Sequence, residues 1–369
     1  MYRPRVWHAL LVILLIGVLV LGGFSCAAPT PSPAPGTKPP VAPSPAPSPA
    51  AAKQGPPPGA APIKISYLGG MPLKTLITDG QEKFKELIEK KSNGVITIDL
   101  YPAGQLYQHK DMPEAIQNGA ASMAVGDSTQ WSGLAPAGMV YAMPLGFDSL
   151  KHILRFVEQV NPIFDKELAK INTKLVGLNY YGTGFGIISR KEIHSPADFS
   201  GKKLRGMSDI HSVVFGSLGA SMVSMSSAEV YTALERGTLD AAFSGYSTFV
   251  SRKWMEPAKY CITGPNFTSF MPTPYPVVWN IDKWKALPAW AQQMVADTVK
   301  EVYDWQVAEA DKMDTQDIDT MKKNGVTFYL IPEAEWPNWT KGGKVGWNYI
   351  AERDKENGAA ILKVVDATR

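Results

Sequence analysis

The fold is decided by the stretch from Ser195 to Tyr246, which has the sequence SPADFSGKKLRGMSDIHSVVFGSLGASMVSMSSAEVYTALERGTLDAAFSGY. Strand patterns at residues 203–207, 221–225 and 240–243 alternate there with helical patterns at residues 212–218 and 226–236. Such an alternation of short strands and helices is typical of half of an α/β domain. The stretch therefore predicts an α/β fold.

Capping residues set the ends of these helices. Ser195 followed by Asp198, and Ser226 followed by Glu229, have the spacing of capping boxes, in which each side chain bonds the other residue's backbone N–H. Gly237 directly follows the second helical pattern, where a left-handed C-terminal cap is expected.

Arg205 is the candidate ligand-binding residue of this stretch. It ends a predicted strand beside helix N-termini, where α/β folds bind their ligands. Its planar guanidinium group offers two parallel donors that match a carboxylate. The residues alone leave two alternatives open, a surface arginine or one paired with a structural acid such as Asp209 or Asp240.

The spacing of the stretch resembles the signature region of the solute-binding proteins of tripartite ATP-independent periplasmic (TRAP) transporters. That pattern is P-x-D-(F or L)-x-G-x-K-x-R, then G-A, then E-x-Y-x-A-L-x-x-G-x-x-D. The matching residues are Pro196, Asp198, Phe199, Gly201, Lys203, Arg205, Gly219, Ala220, Glu229, Tyr231, Ala233, Leu234, Gly237 and Asp240. Residues 101–106, YPAGQL, also match the family's YP-x-GQL.

The resemblance implies an α/β, two-domain periplasmic-binding-protein-like fold with a hinge, an interdomain cleft and a long helix that spans both domains. It also implies that Arg205 holds a ligand carboxylate. The predicted boundaries are 63–181 and 271–308 for domain I, and 182–270 and 309–369 for domain II. The long helix begins at Pro288 and extends to Gly325, unless it is two helices broken near Asp311 or Asp314. The Trp-rich tail at 336–347 is expected to pack outside the core.

The N-terminus has the features of an export signal. Basic residues precede an apolar run, and Cys26 follows it, as in a lipoprotein signal peptide spanning residues 1–26. The alternative is an uncleaved anchor from Trp7 to Phe24. Residues 27–62 contain 14 prolines and are expected to form an extended, disordered tether. Both alternatives place the remainder outside the cytoplasmic membrane, in the periplasm or at the cell surface.

The resemblance and the loop chemistry give the remaining candidate ligand-binding residues. They are Asp127, Ser128, Trp131, Thr183, Phe185, Met207, Phe243, Ser244 and Tyr246. The chain is expected to cross between the domains near Tyr181 and Pro276, and Gly182-Thr183-Gly184-Phe185-Gly186 is expected to supply flexible glycines at a hinge. Many carboxylate-binding relatives have a second arginine at about the position of Gly184, an aromatic at Ser227 and, in some, an asparagine at Ser244. Because a second carboxylate would lack a partner here, a monocarboxylate or keto acid is favoured over a dicarboxylate.

Catalytic and metal-binding motifs are not found in the sequence. Neither the cysteines nor the histidines have metal-ligand spacing, and Gly245-Tyr246-Ser247 does not complete G-x-S-x-G. Cys261 is expected to be a buried thiol, and His109 and His211 could reach the cleft, although surface or capping roles are favoured for both. The net charge of +3 gives no sign of nucleic-acid binding. We expect no cofactor and no metal.

These features predict a membrane-tethered, non-enzymatic receptor. It would capture a small organic acid between two closing domains and deliver it to the small and large membrane subunits of a TRAP transporter. The alternative is a sensory or scaffold lipoprotein that uses the same fold without transport. An enzyme is a distant third.

Overall fold

Two β-sheets organise the computed structural model, which describes residues 55–147, 149–182, 184–272 and 274–368. The first sheet contains β1 (Ile63–Gly69), β2 (Ile96–Tyr101), β3 (Met123–Val125), β4 (Thr173–Tyr180) and β10 (Pro274–Asn280), in the order β2-β1-β3-β10-β4. The second sheet contains β5 (Phe185–Ser189), β6 (Lys203–Gly206), β7 (Ser221–Ser224), β8 (Ala241–Gly245), β9 (Tyr260–Thr263) and β11 (Thr327–Leu330), in the order β11-β9-β5-β8-β6-β7.

Both sheets mix parallel and antiparallel pairs. In the first, β1 runs parallel to β2 and β3, while β10 runs antiparallel to β3 and β4. In the second, β6 runs parallel to β7 and β8, and β5 runs antiparallel to β8 and β9. The chain passes between the sheets from β4 to β5, returns from β9 to β10, and passes again through α8 to β11.

The helices cover the sheets and connect them. They are α1 (Leu76–Lys91), α2 (Met112–Gln117), α3 (Leu150–Ala169), α4 (Asp209–Ser217), α5 (Val230–Arg236), α6 (Tyr246–Ser251), α7 (Ile281–Ala286), α8 (Ala289–Lys323), α9 (Trp336–Arg353) and α10 (Gly358–Thr368). Short 3-10 helices lie at His109–Asp111, Ser128–Trp131, Pro136–Ala142, Pro196–Phe199 and Pro265–Phe267. Within the described residues, no helix combines the length and the apolar character that crossing a membrane requires.

Helix α8 is one continuous helix of 35 residues, so the alternative of a break near Asp311 or Asp314 is wrong. At 1.5 Å per residue it is about 52 Å long. It packs against α1 and β4 beside the first sheet and against α6 beside the second. A single rigid helix therefore contacts the elements of both sheets.

Most predicted caps are present. Ser195 and Asp198 form a reciprocal capping box, and Gly237 ends α5 with a left-handed φ of 72°. Glu229 Oε2 accepts hydrogen bonds from the backbone N–H and the hydroxyl of Ser226, at 3.0 and 2.7 Å. The α-helix itself begins only at Val230, after this turn, so it is four residues shorter than predicted.

The Trp-rich tail does not pack outside the core, which corrects the prediction. It forms α9, and Trp339 and Trp347 are buried in the main hydrophobic cluster. Gly342 and Gly346 lie on the same helix face, where an added Cβ would approach Val214 of α4 to 3.1 and 2.7 Å. Gly342 and Gly346, which lie between Trp339 and Trp347, let α9 pack closely on α4. The many polar residues of this segment make its buried face difficult to recognise from the sequence.

Two buried carboxyl groups connect α3 to the C-terminal helices. Glu167 accepts hydrogen bonds from the Ala137 N–H at 2.8 Å and the Asn357 side-chain amide at 2.6 Å. Burial, together with a hydrogen bond to Asp354, raises the pKa of Glu167 to about 7. Glu167 therefore holds its proton up to about neutral pH, since a charged form would be buried beside another carboxyl group.

We expect this pair to make the stability pH-dependent. The glutamate pKa of 4.5 rises to about 7 on folding, so the native state holds an extra proton between these values. The stability that this proton contributes is fully present below the unfolded-state pKa of 4.5. It is lost as the pH rises through the folded-state pKa of about 7. When the pH is raised from about 5 to about 8, the free energy of unfolding measured with urea should fall less for Glu167→Gln than for wild type. An identical loss in both proteins would contradict this assignment.

Candidate functional site

Arg205 is buried at the carboxyl end of β6, with 6% of its surface exposed. Its Nε–H donates to the Met225 carbonyl, and its Nη1 donates to the Phe243 carbonyl, both at 3.2 Å. The guanidinium carbon lies 5.6 Å from the ring centroid of Trp254, a cation–π contact. These three contacts fix the plane of the group.

The rest of the guanidinium group is free to bind a ligand. Among the described residues, Nη2 donates no hydrogen bond and no carboxylate lies within 4 Å of the group. Asp240 instead accepts the Lys203 N–H at 2.8 Å. The two alternatives left open by the sequence, a surface arginine or a structural pair with Asp209 or Asp240, are therefore wrong.

The charge of Arg205 is poorly compensated. Burial lowers its pKa to about 10, and the negative charge of Asp127 opposes this shift. Arg205 therefore remains a cation at neutral pH. A buried cation without a hydrogen-bonded anion is unfavourable, so the site favours an anionic ligand.

Asp127 lies across from Arg205 in a segment that follows β3. Its Oδ1 accepts the Thr129 N–H at 2.9 Å and so caps the 3-10 helix Ser128–Trp131. Its own N–H donates to His109 Nε2 at 3.1 Å. The predicted candidates Asp127, Ser128 and Trp131 are thus held in one short, buried segment.

Several polar atoms of this region are buried without a hydrogen-bond partner in the described part of the chain. They are Ser128 Oγ, Thr129 Oγ1, Trp131 Nε1 and Tyr275 Oη. Buried polar groups in native proteins are almost always hydrogen-bonded. Donors and acceptors of this kind are suited to a polar ligand.

Four aromatic side chains, here called the aromatic wall, pack in a row from β10 to the second sheet: Tyr275, Tyr181, Phe185 and Phe243. Tyr275 stacks on Tyr181 with 5.4 Å between ring centroids, Tyr181 packs on Phe185 at 5.1 Å, and Phe185 packs on Phe243 at 5.6 Å. Burial raises the pKa of both tyrosines, which are therefore neutral donors. Sequence reasoning missed Tyr275, whose only signal was its position beside a predicted crossing.

His211 connects the segment that follows β6 to the 3-10 helix Pro136–Ala142. Its Nδ1 accepts the Met207 N–H at 3.1 Å, and its Nε2–H donates to the Ala142 carbonyl at 2.9 Å. Burial lowers its pKa to about 4, so the ring is neutral. The sequence predicted a surface or capping role; the ring does bond backbone near the start of α4, but it is fully buried.

The other candidates are not all gathered around Arg205. Phe185 packs in the aromatic wall, and Ser244 lies on the same face of the second sheet as Arg205, because Arg205 pairs with Ala242. Tyr246 is instead held by a hydrogen bond from its hydroxyl to Thr263 Oγ1 at 2.7 Å. Thr183, Cys26 and the tether up to residue 54 lie outside the described residues.

Gly184 is enclosed by the Tyr246 ring. A Cβ at this position would lie 2.1 and 2.2 Å from two ring carbons. Glycine is therefore required by close packing, which is a different reason from the predicted flexibility of a hinge. The second arginine of many carboxylate-binding relatives has no room here.

A separate cavity of about 370 Å³ lies between α8 and the loop before β10. Tyr180, Tyr246, Ser269, Asp311 and Asp314 are among its lining residues, whereas Arg205 and Asp127 are not. Among the described residues, no group of His, Cys, Asp or Glu side chains is arranged to hold a metal ion. Cys261 is a buried free thiol, as predicted.

Two sheets connected by two crossings and one long helix, with a buried cation between them, define a two-domain solute-binding protein. Residues 70–354 match the DctP family, described as bacterial extracellular solute-binding protein, family 7. The chain belongs to this family. The resemblance to the TRAP solute-binding proteins and the predicted fold are confirmed.

Relatives with assigned ligands differ in what they bind. The chain is 27% identical to the C4-dicarboxylate-binding periplasmic protein DctP of Rhodobacter capsulatus, over 84% of this chain and 92% of the relative. It is also 27% identical to the 2,3-diketo-L-gulonate-binding periplasmic protein YiaO of Escherichia coli, over 84% and 95%. A TRAP periplasmic solute-binding protein of Desulfovibrio salexigens, solved with orotic acid, superposes with a TM-score of 0.75 at 22% identity, covering 83% and 98%.

Proposed function

We propose that this protein is the extracytoplasmic receptor of a TRAP transporter and captures a small organic acid between its two domains. The observation that carries the proposal is Arg205, a buried guanidinium group with a fixed plane, unused donors and no carboxylate within 4 Å among the described residues. The ligand carboxylate would accept from the Nη2 side of this group. Domain closure would then bury the ion pair, and the membrane subunits would receive the acid.

The ligand we propose is a monocarboxylate or keto acid and not a dicarboxylate. The named ligands of the relatives are C4-dicarboxylates, a diketo sugar acid and orotic acid, so the family alone does not choose among them. In this chain Gly184 faces the Tyr246 ring and offers no second cation. A second buried carboxylate would lack a partner and would be disfavoured.

Binding without catalysis is the role that best fits these residues. Arg205, Tyr275 and the polar atoms around them are donors suited to recognition, and the matched family is one of solute-binding proteins. A sensory or scaffold protein with the same site is the second candidate. Neighbouring genes for the two membrane subunits would favour the transporter.

A thermal-shift screen of small organic acids tests the proposed function. A ligand present at 100 times its dissociation constant adds about 2.7 kcal/mol to the free energy of unfolding. We expect monocarboxylates or keto acids to raise the melting temperature and C4-dicarboxylates to have a smaller effect. Uncharged amides of the same acids serve as controls. Equal stabilisation by acids and their amides would contradict a carboxylate site.

We also propose that the chain is lipid-anchored through Cys26 and a tether at residues 27–62, with domain boundaries near residues 181, 270 and 308. The apolar run ending at Cys26 and the 14 prolines support the anchor. The protein should fractionate with membranes, and Cys26→Ser should abolish lipid labelling. A Cys26→Ser protein of unchanged mass that stays membrane-bound would indicate the uncleaved anchor instead.

A further inference from the structure

We propose that Asp127 selects the ligand by accepting a hydrogen bond from it, so that the site takes acids with a hydroxyl or ammonium group close to the carboxylate. This inference rests on the proposed function, because it assumes that Arg205 holds the carboxylate. It narrows the proposed class, a monocarboxylate or keto acid, to monocarboxylates with a hydrogen-bond donor next to the carboxylate, and it makes keto acids the weaker ligands. A 2-hydroxy or 2-amino acid would bind in preference to the keto acid of the same skeleton.

The first observation is an unused carboxylate oxygen. Asp127 is 6% exposed, and its Oδ1 accepts the Thr129 N–H. Among the described residues, its Oδ2 accepts no hydrogen bond. Capping of the 3-10 helix therefore explains one oxygen of Asp127 and leaves the other available to a ligand.

The neighbouring donors do not serve this oxygen. His109 Nε2 is an acceptor, because it receives the Asp127 N–H at 3.1 Å. His211 gives its Nε2–H to the Ala142 carbonyl at 2.9 Å. Neither imidazole therefore donates to Asp127 Oδ2, which can accept a hydrogen bond from a donor group on the ligand.

The second observation is that Asp127 lies near Arg205 without touching it. Met207, two residues after Arg205, donates its N–H to His211 Nδ1, and His211 Nε2–H donates to the Ala142 carbonyl. The 3-10 helix that ends at Ala142 packs on the 3-10 helix that Asp127 caps, so the end of β6 is tied to the Asp127 segment. Among the described residues, no ion pair within 4 Å joins Asp127 and Arg205. The last pair of β3 and β10 joins Val125 to Val277, two residues from Asp127 and two residues from Tyr275, so both side chains lie near the same end of this strand pair. Tyr275 interacts in turn with the charge of Arg205.

A ligand that spans these two groups must carry complementary groups at both ends. Its carboxylate would take the unused donors of Arg205, and the adjoining atom would face Asp127 Oδ2. A hydroxyl or an ammonium donates to a carboxylate, whereas a keto oxygen has only lone pairs and would be repelled. Sites that hydrogen-bond a hydroxyl strongly reject the analogue that lacks it, because a buried polar group is then left unpaired.

The test is calorimetry with matched acids on the full chain. Lactate and pyruvate, 2-hydroxybutyrate and 2-oxobutyrate, and 3-phenyllactate and phenylpyruvate form the pairs, with L-alanine and L-phenylalanine as the amino acids. We expect wild type to bind the hydroxy or amino member of at least one set about 10- to 100-fold more tightly than the keto member. In Asp127→Asn this preference should fall to about threefold or less, or reverse, because the amide nitrogen donates.

Asp198→Asn is the matched control. Asp198 also caps a 3-10 helix, by accepting the N–H groups of His194 and Ser195, and it lies outside this region. Its variant should keep the wild-type preference, and both variants should melt as single folded species.

The outcomes separate the two proposals. If acids bind in an Arg205-dependent manner but the keto member equals or exceeds its partner, the inference is overturned and the receptor function stands. An unchanged preference in Asp127→Asn also overturns it. If none of these acids bind, the inference fails, and the broader screen decides whether carboxylate binding fails with it.

Discussion

Arg205→Ala is expected to weaken binding of the acid by roughly 30-fold to a few thousand-fold, which is the largest effect on affinity that the structure predicts. Removing one partner of a buried, hydrogen-bonded charge pair costs about 2–5 kcal/mol, and about 1.4 kcal/mol corresponds to tenfold. Since Gly184 cannot supply a second cation, Arg205 carries more of the ligand charge than it would in a site with two arginines. The measurement is calorimetry with the best acid from the thermal-shift screen.

Two further variants make the result specific. Arg205→Lys keeps the charge but loses the planar fork that the Met225 and Phe243 carbonyls and Trp254 hold in place, so it should also bind poorly. Arg190→Ala removes an exposed arginine and should leave affinity unchanged.

The fold should survive these substitutions, because Arg205 is a buried charge without an ion-pair partner, and circular dichroism checks this. A folded Arg205→Ala protein that binds its acid within about threefold of wild type would place the carboxylate elsewhere. Lys74, which is exposed at the end of the first sheet, would then be the next residue to test.

The position of Arg205 could be predicted from the sequence because it depends on local order. A strand end, a capping box and a spaced signature all lie within some fifty residues, and the structure places the arginine at the end of β6 as expected. The segment Asp127–Trp131 was found for the same reason, since it directly follows a strand. In both cases a short stretch of chain determines where the side chain lies.

The partners of these residues could not be predicted, because contacts between distant segments supply them. Trp254 lies under Arg205 although 49 residues separate them in the chain, and the pairing of β10 with β3 brings Tyr275 to the end of β3 that leads to Asp127. Nothing in the periodicity near Trp254 or Tyr275 marks either as a ligand-site residue. The burial of the Trp-rich tail was missed for a related reason, since it depends on the approach of α9 to α4.

At Gly184 the reason for a glycine differs between the sequence-based prediction and the structure. In the sequence it belonged to a glycine-rich segment at a crossing, which favoured a flexible hinge. In the structure it is a contact point: the Tyr246 N–H donates to the Gly184 carbonyl at 2.9 Å, and the ring covers the Cα. The packing of one tyrosine thus explains both the glycine and the missing arginine.

The largest expected effect on stability follows from this contact. Gly184→Ala should reduce the free energy of unfolding by about 3 kcal/mol, at the upper end of the cost of overpacking a core. The new methyl would lie 2.1 Å from a ring carbon, and the ring is held by the Thr263 hydrogen bond and by an edge contact with Phe328 at 6.1 Å. A methyl at position 184 can be accommodated only if the Tyr246 ring shifts against these two contacts. Urea unfolding measures the change.

Removing the ring should relieve part of that cost. Tyr246→Ala is itself destabilising, because it empties a buried aromatic position, but the double variant with Gly184→Ala should lose less than the sum of the two. We expect a coupling of about 0.5–3 kcal/mol in this double-mutant cycle. Gly133→Ala is the matched control, since a Cβ there meets no atom within 4 Å. If Gly184→Ala were as stable as Gly133→Ala, or if the two costs simply added, the Tyr246 ring would not be what excludes a side chain at position 184.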